Sequence, residues 1–249
     1  MTGLSFSAAI RTDVGPVRRN NEDAVYASPR LAAVADGVGG AAAGEVASRA
    51  AINALVQLDR CRLDEPLDRA LASAVASGNA AIGFIAGCRP RTAGMSTTLT
   101  AVALDDDGYF VTNVGDSRTY LLRDGDLRRL TRDDSLVQRL VDSGAVTPAE
   151  ARTHPQRSLV LDALDGDPER RPPAVTPLAA RAGDRLLLCS DGLSDALDDE
   201  RIADLLGVAS REECAEGLVA AALAAGARDN VSVVVADVAP RRDPAAGWR

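Results

Sequence analysis

The chain has 249 residues, of which 46% are hydrophobic and 26% are charged, and its formal net charge is −8. Those values are typical of a globular domain with a sizeable core and exclude a disordered or fibrous chain. Nucleic-acid binding is disfavoured because an acidic chain lacks the concentrated positive charge that neutralises phosphates.

Short apolar runs bounded by Gly or Asp predict strands, and apolar residues at helical spacing predict helices. The predicted strands are Leu31–Ala35, Thr98–Leu104, Tyr109–Val114, Arg185–Cys189 and Val231–Val238, with a hairpin turn at Asp124-Gly125. The predicted helices are Ala42–Leu58, Glu65–Ala86 and Ser210–Ala225, the last of which opens with a capping-box pattern. Strands and helices are segregated along the chain, which predicts α+β layers with antiparallel sheets.

Two segments fall outside this pattern. The stretch from Thr131 to Pro173 contains five prolines and is predicted to be irregular; a loop of that size inside a compact domain is usually functional. Residues 240–249 are polar and rich in helix and strand breakers, so they are predicted to form a disordered tail after a catalytic domain of residues 1–239.

The four cysteines are far apart and form no CxxC pair. This spacing predicts free thiols in a reducing compartment rather than a disulfide framework or a zinc site. The N-terminus lacks a signal-peptide pattern, and no apolar run reaches membrane-spanning length. The protein is therefore expected to be cytoplasmic, with no membrane span in this chain.

Aspartates stand at the ends of four predicted strands. Asp36, Asp116 and Asp191 each follow a strand, and Asp229 precedes the last one. Three of the four have Gly nearby, which allows a tight turn or offers a carbonyl as a ligand. Hard divalent ions such as Mg²⁺ and Mn²⁺ take oxygen ligands of this kind. A single Asp-Gly is commonly only a turn, so composition alone leaves the question open.

Seven short motifs run in order from about Ser5 to Asp237. They are TDVGPVRRNNEDA, ADGVGG, GMSTT, VGDSR, HPQRS, CSDGLSD and DNVSVVV. Their order and spacing resemble the bacterial branch of the PPM/PP2C family of metal-dependent protein serine/threonine phosphatases. The resemblance implies an α+β fold, a four-layer α-β-β-α sandwich in which helices flank two antiparallel sheets. It also implies the hydrolysis of phosphoserine and phosphothreonine monoesters.

The resemblance further implies a core of two Mn²⁺ or Mg²⁺ ions and a weaker third ion. The implied metal ligands are Asp36, Gly37, Asp116, Ser158, Asp191 and Asp229. Asp36 and Gly37 match the ligands that join the core ions, Asp191 and Asp229 complete that pair, and Asp116, Asp191 and Ser158 match the third site. The residues expected to support this shell from outside are Glu22, Asp23, Asp195 and Asn230.

Arg18 matches the residue that holds the substrate phosphate. A planar guanidinium that is always charged can bind two phosphate oxygens at once. The implied mechanism is direct attack by a water or hydroxide that bridges the two core ions, without a phospho-enzyme. The catalytic residues are thus expected to be Asp36, Arg18 and, as a candidate acid, His154.

The identity of the general acid, the group that protonates the leaving oxygen, stays open. His154 is the only histidine, and a lone histidine is more often structural than catalytic. It lies, however, in the stretch that corresponds to the family's flap, where a protonated imidazole could donate to the leaving oxygen. Val38 stands where eukaryotic members often have His, and Ser96 stands where Gly is usual.

The sequence admits three functions. The first is a phosphatase that reverses bacterial Ser/Thr kinases, the second a regulatory protein of the same fold without turnover, and the third a non-catalytic divalent-ion-binding protein. The presence of Asp36, Asp191 and Asp229 disfavours the second, and Arg18 beside the acids disfavours the third. Small phosphomonoesters remain alternative substrates. The expected partners are phosphorylated proteins, kinases included, and the expected state is a monomer.

Overall fold

The computed structural model describes residues 3–38, 43–61, 64–106, 108–208 and 210–241. Within these ranges the strands are β1 Leu4–Asp13, β2 Ala24–Ala27, β3 Leu31–Ala35, β4 Gly37–Val38, β5 Ser96–Thr97, β6 Leu99–Leu104, β7 Tyr109–Val114, β8 Arg118–Arg123, β9 Asp126–Arg129, β10 Val175–Leu178, β11 Arg185–Cys189 and β12 Val231–Pro240. The helices are α1 Gly44–Arg60, α2 Leu67–Cys88, α3 Leu136–Asp142, α4 Pro148–Thr153, α5 Asp191–Ser194, α6 Asp199–Leu206 and α7 Arg211–Ala224, with a 3₁₀ turn at Pro90–Thr92.

The strands form two five-stranded sheets and one short pair. The first sheet has the order β1-β12-β11-β8-β9, the second has the order β10-β7-β6-β3-β2, and β4 pairs with β5. Neighbouring strands are antiparallel throughout. The predicted antiparallel α+β architecture is confirmed.

The sheets pack face to face because their central strands are apolar on both sides. In β3, Ala32 and Val34 belong to the core between the sheets, whereas Leu31, Ala33 and Ala35 pack toward α1 and α2. Side chains alternate along a strand, so a continuous apolar run marks a strand that is covered on both faces.

Helices cover the outer face of each sheet. Leu71 and Ile82 of α2 are buried against the second sheet, and Ile202 of α6 and Leu218 of α7 are buried against the first. The result is the four-layer α-β-β-α sandwich that the resemblance implied. The described residues form three buried clusters, one between the sheets and one under each helical layer.

The stretch from Thr131 to Pro173, which was predicted to be irregular, is partly helical. It contains α3, which begins where the Ser135 side chain accepts from the Gln138 N–H at 3.3 Å, and α4, which begins with a capping box between Thr147 and Glu150. Local capping supports these helices, which at 7 and 6 residues are too short for a clear periodicity signal. The sequence patterns also did not predict β1, β2, β4, β5, β10, α5 and α6.

The last strand extends beyond the predicted domain end. Pro240 pairs with Leu4, and the Arg241 N–H donates to the Gly3 carbonyl at 2.7 Å. Pro240 is therefore the last residue of β12 rather than part of a tail, and the hydrogen bond of Arg241 lies one residue beyond the strand. Residues 242–249 of the predicted tail, and the predicted helix start at Ala42, lie outside the described residues.

Among the described helices, α2 alone is long and apolar enough to cross a membrane by length and composition. A helix packed in a protein core passes the same test. Leu71, Val75 and Ile82 of α2 are such core residues.

Candidate metal centre

The topology brings the strand-end aspartates together. β3 and β7 each pair antiparallel with β6, so they run in the same direction, and Asp36 and Asp116 follow them at one edge of the sheet. In the other sheet β11 and β12 are antiparallel, so Asp191 after β11 lies beside Asp229 before β12. Asp23 precedes β2, which pairs with β3, and it therefore lies near Asp36.

These carboxylates raise one another's pKa. Burial raises the pKa of Asp36 well above its usual range, and neighbouring charges raise it further, namely those of Asp23, Asp191, Asp116 and Asp229. Burial also raises the pKa of Asp191 well above its usual range, that of Asp23 to about 6 and that of Asp116 to about 7. Asp36 and Asp191 retain some accessible surface. Such a group of uncompensated carboxylates is suited to divalent cations.

Two buried carboxylate oxygens point to the same chemistry. Asp23 Oδ1 and Asp191 Oδ1 have no hydrogen-bond partner among the described protein atoms, although Asp23 Oδ2 accepts from the Ser190 hydroxyl at 2.9 Å. A buried charged oxygen without a partner is costly unless a cation or a donor meets it. The oxygen-only donor set fits Mn²⁺ or Mg²⁺.

Arg18 is bound to one of these carboxylates. Its Nη2 donates to Asp229 Oδ2 at 2.5 Å, and this hydrogen bond raises the pKa of Arg18. In the described part of the chain, no three Asp, Glu, His or Cys side chains already lie at the spacing of a metal shell, and Asp229 is turned toward Arg18 instead. Turning Asp229 to a cation would free the guanidinium for an anionic ligand.

The loop that carries Arg18 is held by a single buried amide. The side chain of Asn230 accepts from the Glu22 N–H at 2.8 Å and donates to the carbonyls of Val14 and Asn20 at 2.8 and 3.0 Å. Asn230 is only 4% exposed. It therefore fastens both sides of the Arg18 loop to the start of β12.

The backbone of Asp36 is also held from both sides. Its N–H donates to Thr98 Oγ1 at 3.1 Å, and its carbonyl accepts from the Thr98 N–H and from Thr97 Oγ1, each at 2.8 Å. The next residue, Gly37, has no room for a side chain, because a Cβ there would lie 2.4 Å from the carbonyl carbon of Gly44. The turn after β3 can therefore be formed only by glycine.

Gly192 makes a comparable close approach. It follows Asp191 in α5, and a Cβ there would lie 2.1 Å from the Asn230 carbonyl oxygen. We expect Gly192→Ala to lower the free energy of unfolding by about 2–3 kcal/mol, because the backbones must separate. Urea unfolding of the metal-free protein measures this change.

Gly87→Ala is the matched control for that substitution. Gly87 lies in the last turn of α2, and a Cβ there would meet nothing within 4 Å. The free energy of unfolding of Gly87→Ala should be unchanged or higher by up to roughly 1 kcal/mol, because Ala is the better helix former. Equal losses in the two variants would contradict the close approach at Gly192.

We expect the metal-free protein to lose stability as the pH rises from about 5 to about 8. With the pKa of Asp23 raised to about 6 and that of Asp116 to about 7 by burial, the folded state keeps protons that the unfolded chain has released above roughly pH 4. The stabilisation that these bound protons provide is fully present below the pKa of the carboxyl groups in the unfolded chain. It is lost as the pH rises through their pKa in the folded state. The expected loss is on the order of 1–3 kcal/mol.

Urea unfolding in EDTA at the two pH values measures this loss. With saturating Mn²⁺ the trend should weaken or reverse, since cation and protons compete for the same oxygens. An identical decline with and without Mn²⁺ would contradict a shared site.

A cavity of about 470 Å³ opens beside Asp116 and Asp191, between α3, α4 and α5. Asp195 lies in its wall and pairs with Arg157 at 3.4 Å. Burial raises the pKa of Asp195, although the charge of Arg157 opposes the shift. Arg152, also in the wall, donates to the Ser194 carbonyl at 3.5 Å. The segment after β9 is thus tied to α5 through its arginines.

His154 and Ser158 are not among the residues that line this cavity. His154 follows α4, and its Nδ1 accepts from the Gln156 N–H at 3.1 Å. Ser158 is exposed. The acid role of His154 and the metal role of Ser158 stay predictions.

A buried ion pair beside Asp116 was not predicted from the sequence. Arg118 Nη2 lies 2.7 Å from Asp133 Oδ2, and Asp133 is 4% exposed. After burial itself, the charge of Asp133 is the largest cause of the raised pKa of Asp116. Arg118 belongs to the VGDSR motif, but no pattern marks its partner in the stretch predicted to be irregular.

The four-layer sandwich and the group of carboxylates at one edge of its sheets accompany a match to a known family. Residues 19–225 match the family model described as Protein phosphatase 2C. The chain belongs to the protein phosphatase 2C family.

Particular relatives are also similar. The chain is 52% identical over 238 residues to the serine/threonine protein phosphatase PstP of Mycobacterium tuberculosis H37Rv, covering 94% of this chain but 45% of that relative. It is 33% identical to the serine/threonine phosphatase stp of Listeria welshimeri, covering 92% of this chain and 95% of the relative. The structure of the PstP catalytic domain with two manganese ions superimposes with a TM-score of 0.88 at 48% identity, covering 95% and 99% of the two chains. The chain thus spans about half the length of the first of these relatives.

Proposed function

We propose that this chain is a metal-dependent phosphoprotein phosphatase that hydrolyses phosphoserine and phosphothreonine monoesters. The observation that carries the proposal is the group of carboxylates that raise the pKa of Asp36, with one arginine, Arg18, bound to a member of the group. Carboxylates that gather divalent cations and a guanidinium that binds phosphate are the two parts that phosphomonoester hydrolysis needs. The family and the activity in the names of its relatives support the same chemistry.

The proposed metal ligands are the residues predicted from the sequence. Asp36 would join two core ions through its carboxylate and Gly37 would add its carbonyl, while Asp191 and Asp229 complete that pair. Asp116 and Ser158 would serve a weaker third ion. Glu22, Asp23, Asp195 and Asn230 would orient this shell. The two manganese ions in the PstP catalytic-domain structure support Mn²⁺ or Mg²⁺ as the cofactor.

The bound ions would lower the pKa of a water molecule so that it can attack phosphorus, and would neutralise the phosphate charge. The chain's own residues do the rest. Asp229 would hold a cation in place of its bond to Arg18, and Arg18 would then be free to bind two phosphate oxygens and orient the ester for in-line attack. The fixed loop around Asn230 limits how far Arg18 moves between these partners.

One assay tests the proposal directly. Phosphate release from a phosphothreonine peptide should require Mn²⁺ or Mg²⁺ and should stop when EDTA is added. The same peptide with phosphotyrosine in place of phosphothreonine serves as the comparison substrate. Absence of turnover at every Mn²⁺ concentration would overturn the proposal.

The acid role of His154 has its own test. We expect His154→Ala to lower turnover of a phosphopeptide by about 10–100-fold and to leave turnover of an activated aryl phosphate nearly unchanged, because its leaving phenolate needs no proton. Steady-state kinetics on the two substrates measures the split. Equal losses on both would show that His154 is not the acid.

The proposed setting is cytoplasmic, with the chain acting as a monomer on phosphorylated proteins, Ser/Thr kinases among them. Small phosphomonoesters are the alternative substrates. A comparison of kcat/KM between phosphothreonine peptides and free phosphothreonine separates the two. A higher value for the free amino acid would favour the alternative.

A further inference from the structure

A second cleft, separate from the carboxylates, lies between α2 and the segment 164–173. Its volume is about 350 Å³, which falls within the range of small-ligand sites. The α2 side of the cleft is a single helical stripe that includes Val75, Asn79 and Gly83 and ends at Phe84. Phe84 is 73% exposed, a large aromatic ring at the mouth of an apolar cleft.

The cleft is preformed by close backbone contacts. The Asn79 side chain accepts from the Gly166 N–H and donates to the Asp167 carbonyl, each at 2.9 Å. Gly166 has a φ of +86°, and a Cβ there would lie 2.4 Å from the Gly83 Cα. The segment is thus clamped to α2 by contacts that leave its shape little freedom.

The charged groups of the cleft favour an anion. Arg170 is occupied, because its two terminal nitrogens bind Asp162 and the Ala163 carbonyl. The next residue, Arg171, lines the cleft and forms no ion pair with any residue in the described part of the chain. The one acid of the lining, Asp167, turns its carboxylate to the Glu169 N–H at 2.9 Å. An apolar ligand with one carboxylate would match this arrangement.

The floor of the cleft is hydrogen-bonded to the carboxylate centre. Leu164 lines the cleft, and its N–H and carbonyl pair with the backbone of Thr97 at 2.8 and 3.0 Å. Thr97 Oγ1 donates to the Asp36 carbonyl at 2.8 Å, and Thr97 also pairs with Gly37 in the β4–β5 pair. Only one residue separates the cleft from the backbone of Asp36.

We propose that this cleft is a binding site for small aromatic or aliphatic carboxylates, and that its occupation stabilises the Leu164–Thr97 pairing next to Asp36. Apolar contact with Val75 and Phe84 holds the body of the ligand, and Arg171 holds its carboxylate. The binding step depends on none of the phosphatase chemistry.

The first test is calorimetric titration with 1-naphthoate. We expect saturable binding to the full chain, with 1-naphthylmethanol binding about tenfold more weakly because it lacks the charge. Ala80→Trp, which fills the cleft from an exposed position on α2, should abolish binding. Arg171→Ala should weaken it about tenfold.

Ala220→Trp, an exposed alanine of α7, and Arg128→Ala, an exposed arginine of β9, are the matched controls. Both variants should bind 1-naphthoate with the same affinity as the unsubstituted chain. Unchanged binding in Ala80→Trp, or no binding to the original chain, would overturn the site.

The second test measures amide hydrogen exchange by NMR, without metal and with Mg²⁺. Saturating 1-naphthoate should slow exchange of the Thr97 and Leu164 N–H groups by about threefold or more, and Ala80→Trp should lose that protection. The metal-free arm is informative even if the proposed phosphatase activity is absent. Unchanged exchange at both amides in the ligand-saturated chain would overturn the coupling.

Discussion

Asp36→Asn is expected to lower phosphatase turnover by at least about 1,000-fold. The amide is neutral and a weaker ligand than a carboxylate, so the position proposed to join two ions loses most of its affinity for them. In the same variant the metal-free protein should become more stable at pH 8. The reason is that burial and four neighbouring charges raise the pKa of Asp36, so its ionised form is disfavoured in the folded state.

Two melting-temperature measurements on Asp36→Asn distinguish the loss of a metal ligand from general damage to the fold. Mn²⁺ should raise the melting temperature of the original chain and leave that of Asp36→Asn nearly unchanged. Without metal, the melting temperature of the variant should be higher, by roughly 2–4 °C for each 1 kcal/mol of relieved repulsion. A residue that served only to build the fold would lower stability under both conditions.

Asp204→Asn is the matched control, because Asp204 is an exposed acid of α6 that lies outside the cluster. It should change neither turnover nor the response to Mn²⁺. Full activity in Asp36→Asn would overturn the proposed metal centre.

Arg18→Ala is expected to lower kcat/KM on a phosphothreonine peptide by about 100-fold, because the substrate phosphate loses a bidentate, permanently charged partner. Arg18→Lys should recover only part of the loss, since an ammonium is a point charge without the planar fork. The Mn²⁺ affinity of Arg18→Ala should be unchanged or higher. Arg18 competes with the cation for Asp229, which it binds at 2.5 Å.

Arg19→Ala provides the control at the adjacent position. Arg19 is exposed and forms no ion pair within the described part of the chain. It tests whether removal of any positive charge from this loop is sufficient to weaken phosphate binding. If Arg19→Ala lost as much kcat/KM as Arg18→Ala, general electrostatic attraction rather than a specific contact would explain the effect.

Much of the fold could be predicted because its strands are strongly patterned. Leu31–Ala35 is apolar at every position, and only a strand covered on both faces uses such a run. β1 was missed because its polar and apolar residues are mixed along Leu4–Asp13, and its place is set by ten residue pairs with β12. That partner lies more than 200 residues away, so no local pattern marks it.

The proposed site, like the fold, could be predicted only in part from the sequence. The chain itself determines which residue types stand at the strand ends, and Asp36, Asp116, Asp191 and Asp229 were named from that position alone. The sequence also led to the family, which the match over residues 19–225 shows. The bond between Arg18 and Asp229 and the pair formed by Arg118 and Asp133 could not be found in this way.

Only the tertiary structure decided how these groups act on one another. A carboxylate in sequence carries an ordinary pKa, whereas Asp36 in the folded chain is desolvated and surrounded by like charges that come from other strands. Desolvation and Coulomb interaction depend on distance in space and not on separation along the chain. The sequence therefore determined which carboxylates stand at the strand ends, and the packing of the two sheets determined that these carboxylates act on one another.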